Sequence, residues 1–297
     1  MPSCEKSFPP NDALGCASRA GGILFSVSNK ANKKNALGFP PPLLGEQPLR
    51  MPVLAEQASW IALEKPAGIG TRAYPWDSEP DMDAALNTQL QAGKPELLRC
   101  GSEIFASVYY LDPVVSGIAV FAKNRESSAE LRNRFGSGES RFRFQFVTTA
   151  RGPDFPAELH ADAPLLPHNV KPKMIPSSAK GKKAFTDFRR IAESPQGWAL
   201  WEASVGFFRP HQIRAHAAVL EIPILGDQLY GGLAAPTQGD LQPKKQRSRL
   251  HLPVFHGVAL HLASVQLIPG DTESLIESEP PKHLRLLYRR MGLAGEI

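Results

Sequence analysis

From residue 141 to 147 apolar and polar side chains alternate without a break. On a pleated strand, successive side chains point to opposite faces. Phe142, Phe144 and Phe146 would therefore line one face, with Arg141, Arg143 and Gln145 on the other. An ordinary half-buried strand accounts for at least two of these three rings. Short β-leaning apolar runs recur at 60–63, 107–111, 117–122 and 199–205. Helical spacing is rarer. Leu131 and Phe135, four apart, predict a short helix over 127–135. Ile213, Ala217 and Leu220 predict another with one apolar face, and Pro210 suits its first turn. Many strands with few helices imply an α+β fold, a mixed, largely antiparallel sheet flanked by helices and loops.

The pattern is uneven along the chain. Residues 1–52 mix Pro, Asn, Ser and Gly without sustained periodicity, and Pro40, Pro41 and Pro42 read as a stiff extended run. We expect a poorly structured extension there and one globular domain over 53–297. No internal repeat is present. Glu64-Lys65-Pro66-Ala67-Gly68 closes the first strand as a turn, and Asp112-Pro113 lies on a tight connection between two strands.

Composition changes this picture little. The 297 residues, 42% hydrophobic and 21% charged, suffice for one large domain with a sizeable core. Cys4, Cys16 and Cys100 form no CxxC pair, which suits a reducing cytoplasm. No apolar run reaches the roughly 20 residues of a membrane span, so no membrane partner is expected. The N-terminus lacks a secretory pattern. Lys30, Lys33 and Lys34 among Ser and Asn leave an organellar presequence open, against which Glu5 and Asp12 weigh.

The net charge of +5 is mild, but its placement is informative. Lys171, Lys173, Lys180, Lys182 and Lys183 fall in one loop-like stretch, and Lys244, Lys245, Arg247 and Arg249 in another. Such runs are usually solvated loops. They gain meaning only if a site lies between them. The histidines recur in steps of five, at His211 and His216 and at His251, His256 and His261. Five helical steps turn a side chain about 140° off its face, and five strand steps reverse it. Neither converges on a metal, and none is expected.

Three collinear segments carry a resemblance. Residues 64–68 are similar to an "NKPxG" turn. Leu111-Asp112-Pro113-Val114-Val115-Ser116-Gly117, followed by Ala122-Lys123-Asn124, is similar to "HRLDxxTSG…AKN". Arg209-Pro210-His211-Gln212-Ile213-Arg214-Ala215-His216, then Pro223-Ile224-Leu225-Gly226-Asp227 and Leu229-Tyr230-Gly231, is similar to "RTHQIRxH…PILGDxLYG". Lys173-Met174, Gly181-Lys182-Lys183-Ala184 with Thr186, and Leu260-His261 add weaker matches. Together these resemble the RluA-like RNA pseudouridine synthases of the RsuA/RluA superfamily over roughly residues 53–290.

The resemblance implies the pseudouridine synthase fold and the isomerisation of uridine to pseudouridine in structured RNA, ribosomal or transfer. It implies a monomer that uses neither metal nor organic cofactor. Asp112 would be the nucleophile and Arg214 its partner, a buried arginine keeping the carboxylate ionised and oriented by paired hydrogen bonds. Phe144 would stack on the flipped base, with Tyr110, Arg209, His211 and Gln212 contacting substrate. Taken alone, Asp112 reads as a turn residue before proline and Arg214 as a surface helix arginine.

The chain also departs from the family pattern. Tyr109-Tyr110 stand where His-Arg is usual, Val115 replaces Thr, and Phe207, Phe208 and Pro210 replace Thr, Gly and Thr. Phe144 replaces a tyrosine, retaining the ring and losing the hydroxyl. These departures leave open a catalytically silent RNA-binding homologue of the same fold. A hydrolase built on Ser116 and His211 is poorer, because no nucleophile elbow surrounds Ser116. No separate RNA-binding domain is recognisable before residue 53.

Overall fold

The computed structural model describes residues 35–77, 80–241, 251–268, 270–271 and 274–293, all within one compact unit. The chain enters through β1 (Ala36–Phe39), β2 (Leu49–Glu56) and β3 (Trp60–Lys65). Helices α1 (Met82–Gln91) and α2 (Pro95–Arg99) lead to β4 (Ala106–Ser107) and β5 (Ser116–Ala122). Then come α3 (Arg125–Ser137), β6 (Arg141–Thr149) and β7 (Glu158–Ala161). A small hairpin, β8 (Leu165–Pro167) with β9 (Met174–Pro176), precedes β10 (Thr186–Ser194) and β11 (Trp198–Val205). The chain ends through α4 (Gln212–Val219), α5 (Gln238–Leu241), β12 (Leu260–Gln266), β13 (Leu275–Glu277) and α6 (Lys282–Arg290).

Eleven strands form one sheet in the order β1-β2-β3-β5-β12-β6-β11-β10-β7, with β4 added to β5 and β13 to β12. Only the β5–β12 pairing is parallel. This is the mixed, largely antiparallel sheet that the strand-rich pattern predicts. Phe142, Phe144 and Phe146 are all buried on one face of β6, so the core takes all three rings. Helix α3 starts at an Asn124 cap, whose side chain accepts from the Ser127 N–H, and stops at Gly138 in the left-handed conformation.

Three expectations need correction. The sheet begins at Ala36 and not at Val53, because residues 36–39 pair with 49–52 and bury Leu37, Phe39 and Met51. Short strands flanking a proline-rich loop carry too little periodicity to be read. The prolines themselves do not run straight: Leu43 N–H donates to the Pro40 carbonyl and Gly45 N–H to that of Pro42, folding the segment into a turn. Pro210 precedes α4 and is outside its first turn, because His211 caps the helix. Residues 1–34 and the basic residues Lys244, Lys245, Arg247 and Arg249 lie outside the described residues.

The β5–β12 junction fixes where Asp112 emerges. Gly117 has φ 125°, and a Cβ there would stand 2.7 Å from the Leu262 backbone nitrogen and closer still to its carbonyl oxygen. Only glycine lets the two parallel strands approach so closely. Beside it, His261 donates through Nε2 to the Ser278 carbonyl at 3.0 Å. Its Nδ1 therefore accepts from the Ser116 hydroxyl, also at 3.0 Å. Burial pushes the His261 imidazole down to about 4.

Between roughly pH 6.5 and 4 the unfolded chain binds a proton at this position and the native chain does not. Stability supplied by neutral His261 is complete above pH 6.5 and is lost as pH falls through that window. We expect urea unfolding to lose on the order of 2–3 kcal/mol from this group between pH 6.5 and 4. His261→Gln should flatten that slope; an unchanged slope would show that other groups set the acid limit.

Candidate active site

Asp112 follows a buried stretch, Val108 to Leu111, that pairs only briefly with β5 through the Val108 N–H and the Val120 carbonyl. The turn after it closes when Val115 N–H donates to the Asp112 carbonyl at 3.1 Å. Asp112 is 5% exposed, and its carboxylate meets the N-terminus of α4. There His211 holds φ 55°, and its backbone N–H donates to Asp112 Oδ1 at 3.2 Å. A helix N-terminus favours a negative charge at this place. Arg214 Nη1 donates to Asp112 Oδ2 at 3.4 Å, and His211 Nε2 stands 3.7 Å from the same oxygen.

The arginine fork itself is turned elsewhere. Arg214 Nε and Nη2 donate to Asp227 Oδ2 and Oδ1 at 2.7 and 2.8 Å, a bidentate pair buried on both sides. The paired hydrogen bonds expected on Asp112 are therefore made to Asp227, and Asp112 takes only the remaining nitrogen. The Arg214 guanidinium also lies 5.0 Å from the centre of the Tyr230 ring. Asp227 holds Arg214 still, and Arg214 in turn presents one fixed N–H to Asp112.

Tyr230 ties a further layer together. Its hydroxyl accepts the Met174 N–H at 2.7 Å and lies 3.0 Å from His211 Nδ1. These contacts are satisfied together when Tyr230 donates to Nδ1, leaving the His211 Nε2–H facing Asp112. Burial pushes the His211 imidazole down, against the opposing pull of Asp112. On the other flank Lys65 is fully buried and donates to the carbonyls of Ile69, Pro66 and Pro113 at 2.6, 3.0 and 3.3 Å. Burial pushes its ammonium down to about 7, with Asp112 and Asp77 opposing. Lys65 thus pins the 64–68 turn against the turn that carries Asp112.

The other expected residues fall into place unevenly. Phe144 is buried in the core that also holds Leu111, its ring edge-on to Phe208 at 5.3 Å. Tyr109 is a core residue whose hydroxyl donates to the Ile118 carbonyl. Tyr110 points the other way, stacks near Tyr74 with ring centres 4.8 Å apart, and donates to the Asp77 carboxylate. Gln212 uses its amide within the protein, donating to the Phe185 carbonyl and Thr186 and accepting from Arg209 N–H. Arg209 donates to the Lys183 carbonyl at 2.8 Å and so reaches the basic segment. His216 is engaged at both ring nitrogens, by Thr186 and by the Ala163 carbonyl.

Asp227, Tyr230 and Lys65 lie inside the sequence motifs, which by themselves give them no role. Tyr74, Trp76 and Asp77 carry no motif at all; only the fold brings their loop to Asp112. Among the described residues no cluster of three or more His, Cys, Asp or Glu could hold a metal ion, and no helix is long and apolar enough to cross a membrane.

Comparison with known proteins decides the family. The family model for RNA pseudouridylate synthase matches residues 59–219, which is more than half of the chain. The chain belongs to the RNA pseudouridine synthase family. It is 28% identical over 207 residues to the dual-specificity RNA pseudouridine synthase RluA of Salmonella typhi, covering 69% of this chain and 86% of the relative. It is 27% identical to the ribosomal large subunit pseudouridine synthase D of Zymomonas mobilis, over 95% of this chain and 87% of the relative. The solved structure of human RNA pseudouridylate synthase domain containing 4 superposes with a TM-score of 0.61 over 81% of this chain and 92% of the human one, at 17% identity. That likeness concerns the fold. The protein is thus an RNA-modifying isomerase of the RluA-like kind, a pseudouridine synthase on a pseudouridine synthase fold.

Proposed function

We propose that Asp112 is the nucleophile of this pseudouridine synthase and that its substrate is a structured ribosomal or transfer RNA. The observation that carries the reading is the buried Asp112 carboxylate at the N-terminus of α4, facing the Arg214 nitrogen that Asp227 leaves free. The helix N-terminus and the fixed guanidinium orient the Asp112 oxygens. As nucleophile, Asp112 attacks C1′ of the target nucleoside as the bond to N1 breaks, and the freed base turns to present C5. Phe144 and Tyr110 would bound the base, His211 would orient Asp112, and Arg209 and Gln212 would hold the wall of the site beside the basic segment. The name of one relative, a ribosomal large subunit enzyme, supports ribosomal RNA, and that of the other, a dual-specificity RNA enzyme, supports more than one kind of RNA target. We further propose that the chain works as a monomer in the cytoplasm, with no metal or organic cofactor.

The test is tritium release from RNA labelled at uridine C5, with ribosomal and transfer fractions from cells lacking the protein assayed separately. Release from one fraction by wild type and not by Asp112→Asn supports the reading. RNA binding without release from either fraction would favour the silent homologue.

The basic segment around β8 and β9 supplies the phosphate contacts in this reading. Lys171, Lys180, Lys182 and Lys183 are exposed, and Lys173 lies 5.9 Å from the Tyr230 ring centre, so the charge borders the site. Removing one lysine–phosphate pair should lower the slope of log K against log salt by about one. We expect the double substitution Lys171→Glu, Lys182→Glu to weaken RNA binding and flatten that slope by about two. Equal slopes for variant and wild type would leave these lysines as solvated loop residues.

A further inference from the structure

Isomerisation at Asp112, as proposed above, must end with the loss of a proton from C5, because the new bond leaves that carbon carrying both hydrogen and the ribose. Few groups around Asp112 can accept it. Asp112 departs from the face of C1′ opposite to the incoming C5 in an in-line displacement, so it is on the wrong side of the sugar. Asp227 has both oxygens on Arg214. His211 has Nδ1 against Tyr230 and Nε2 toward Asp112. The Tyr230 hydroxyl already accepts from Met174, Lys65 is turned onto three carbonyls, and Phe144 has no acceptor.

Among the described residues near Asp112, one carboxylate keeps an oxygen without a hydrogen bond. Asp77 lies on the loop whose Tyr74 ring packs on Tyr110 and whose Trp76 ring stands 5.4 Å from the His211 ring. The Tyr110 hydroxyl donates to Asp77 Oδ2, and Oδ1 makes no hydrogen bond with any described residue. The carboxyl is half-buried, so it is open on one side. Tyr110 is two residues from Asp112, and Asp77 lies near enough to Asp112, His211 and Arg214 to feel the charge of each.

We propose that Asp77 is the base that removes the C5 proton, with Tyr110 as the positioning residue that holds one of its oxygens and frees the other. The C5–H electron pair returns to the ring as the C5–C6 double bond, the C6–N1 double bond formed when C5 attacked passes its pair back to N1, and Asp77 becomes the neutral acid. N1 then takes up one proton, so none is gained or lost overall. Burial, and after it the nearby Asp112 carboxylate, push the Asp77 carboxyl up, with the Tyr110 hydrogen bond, His211 and Arg214 opposing. A carboxylate of raised basicity is better matched to this step. The inference rests on the reading that Asp112 opens the glycosidic bond.

The experiment compares two RNAs, one carrying tritium at uridine C5 and one carrying 5-fluorouridine. Fluorine cannot leave C5 as a cation, so the fluorinated base can rearrange onto carbon without any C5 proton being removed. Asp77→Asn should slow tritium release on the order of 100-fold, while the rearranged 5-fluoro nucleoside, measured by mass spectrometry, forms at the wild-type rate. Tyr110→Phe should show the same selectivity at a smaller loss. Parallel loss with both RNAs would make Asp77 a structural residue and overturn the proposal, as would no loss with either. The Asp112 reading is tested separately, because Asp112→Asn must lose both products whatever Asp77 does.

Discussion

Replacing Asp112 by Asn is expected to lower turnover by a factor on the order of 10⁴ or more, with RNA binding and melting temperature close to wild type. Asparagine keeps the shape of the side chain and its acceptor toward the His211 N–H. It removes the negative charge that attacks C1′, and an amide is a far weaker nucleophile than a carboxylate. The effect should fall on kcat, because the missing interaction forms only as the glycosidic bond breaks. Stability should not suffer, since the change also removes a buried charge. A variant within tenfold of wild type would remove Asp112 from the chemistry.

The second large effect concerns Arg214. Arg214→Leu leaves Asp227 fully buried with neither of its hydrogen bonds, and Asp112 without its guanidinium partner. Breaking one side of a buried pair typically costs about 3–5 kcal/mol, and we expect a loss of that size in urea unfolding at neutral pH. The double variant Arg214→Leu, Asp227→Leu should be less destabilised than Arg214→Leu alone, because it takes the stranded carboxylate away. It should still be inactive, since Asp112 has no cation beside it. Additive costs in the double-mutant cycle would mean that Arg214 and Asp227 act independently, against the bidentate geometry.

How much of this was legible differs from residue to residue. The alternation over 141–147 sufficed for β6, and it did so because a pleated strand imposes a period of two on any sheet buried on one face. Gly117 and the order of the motifs sufficed for the family and for Asp112 and Arg214 as candidates. The strand at 36–39 stayed hidden because it is four residues long and follows a stretch with no periodicity. The silent-homologue alternative turned on Phe144 and on Tyr109 and Tyr110, and the two tyrosines look alike in sequence. In the fold one hydroxyl is spent inside the core on Ile118 and the other reaches Asp77.

By itself, then, the sequence determined the strand-rich α+β class, the family and which carboxylate and guanidinium to suspect, because local periodicity and contiguous motifs are written in neighbouring residues. Only the tertiary structure decided how those groups are paired. Asp112 and Arg214 are 102 positions apart, and Asp227 competes for the same guanidinium. Which carboxylate receives the fork depends on which edge of the arginine each one faces once α4 and the turn after it have packed. The loop bearing Asp77 reaches Tyr110 across 33 positions with no motif to announce it. Contacts of that separation follow from the path of the whole sheet, and no stretch of sequence contains them.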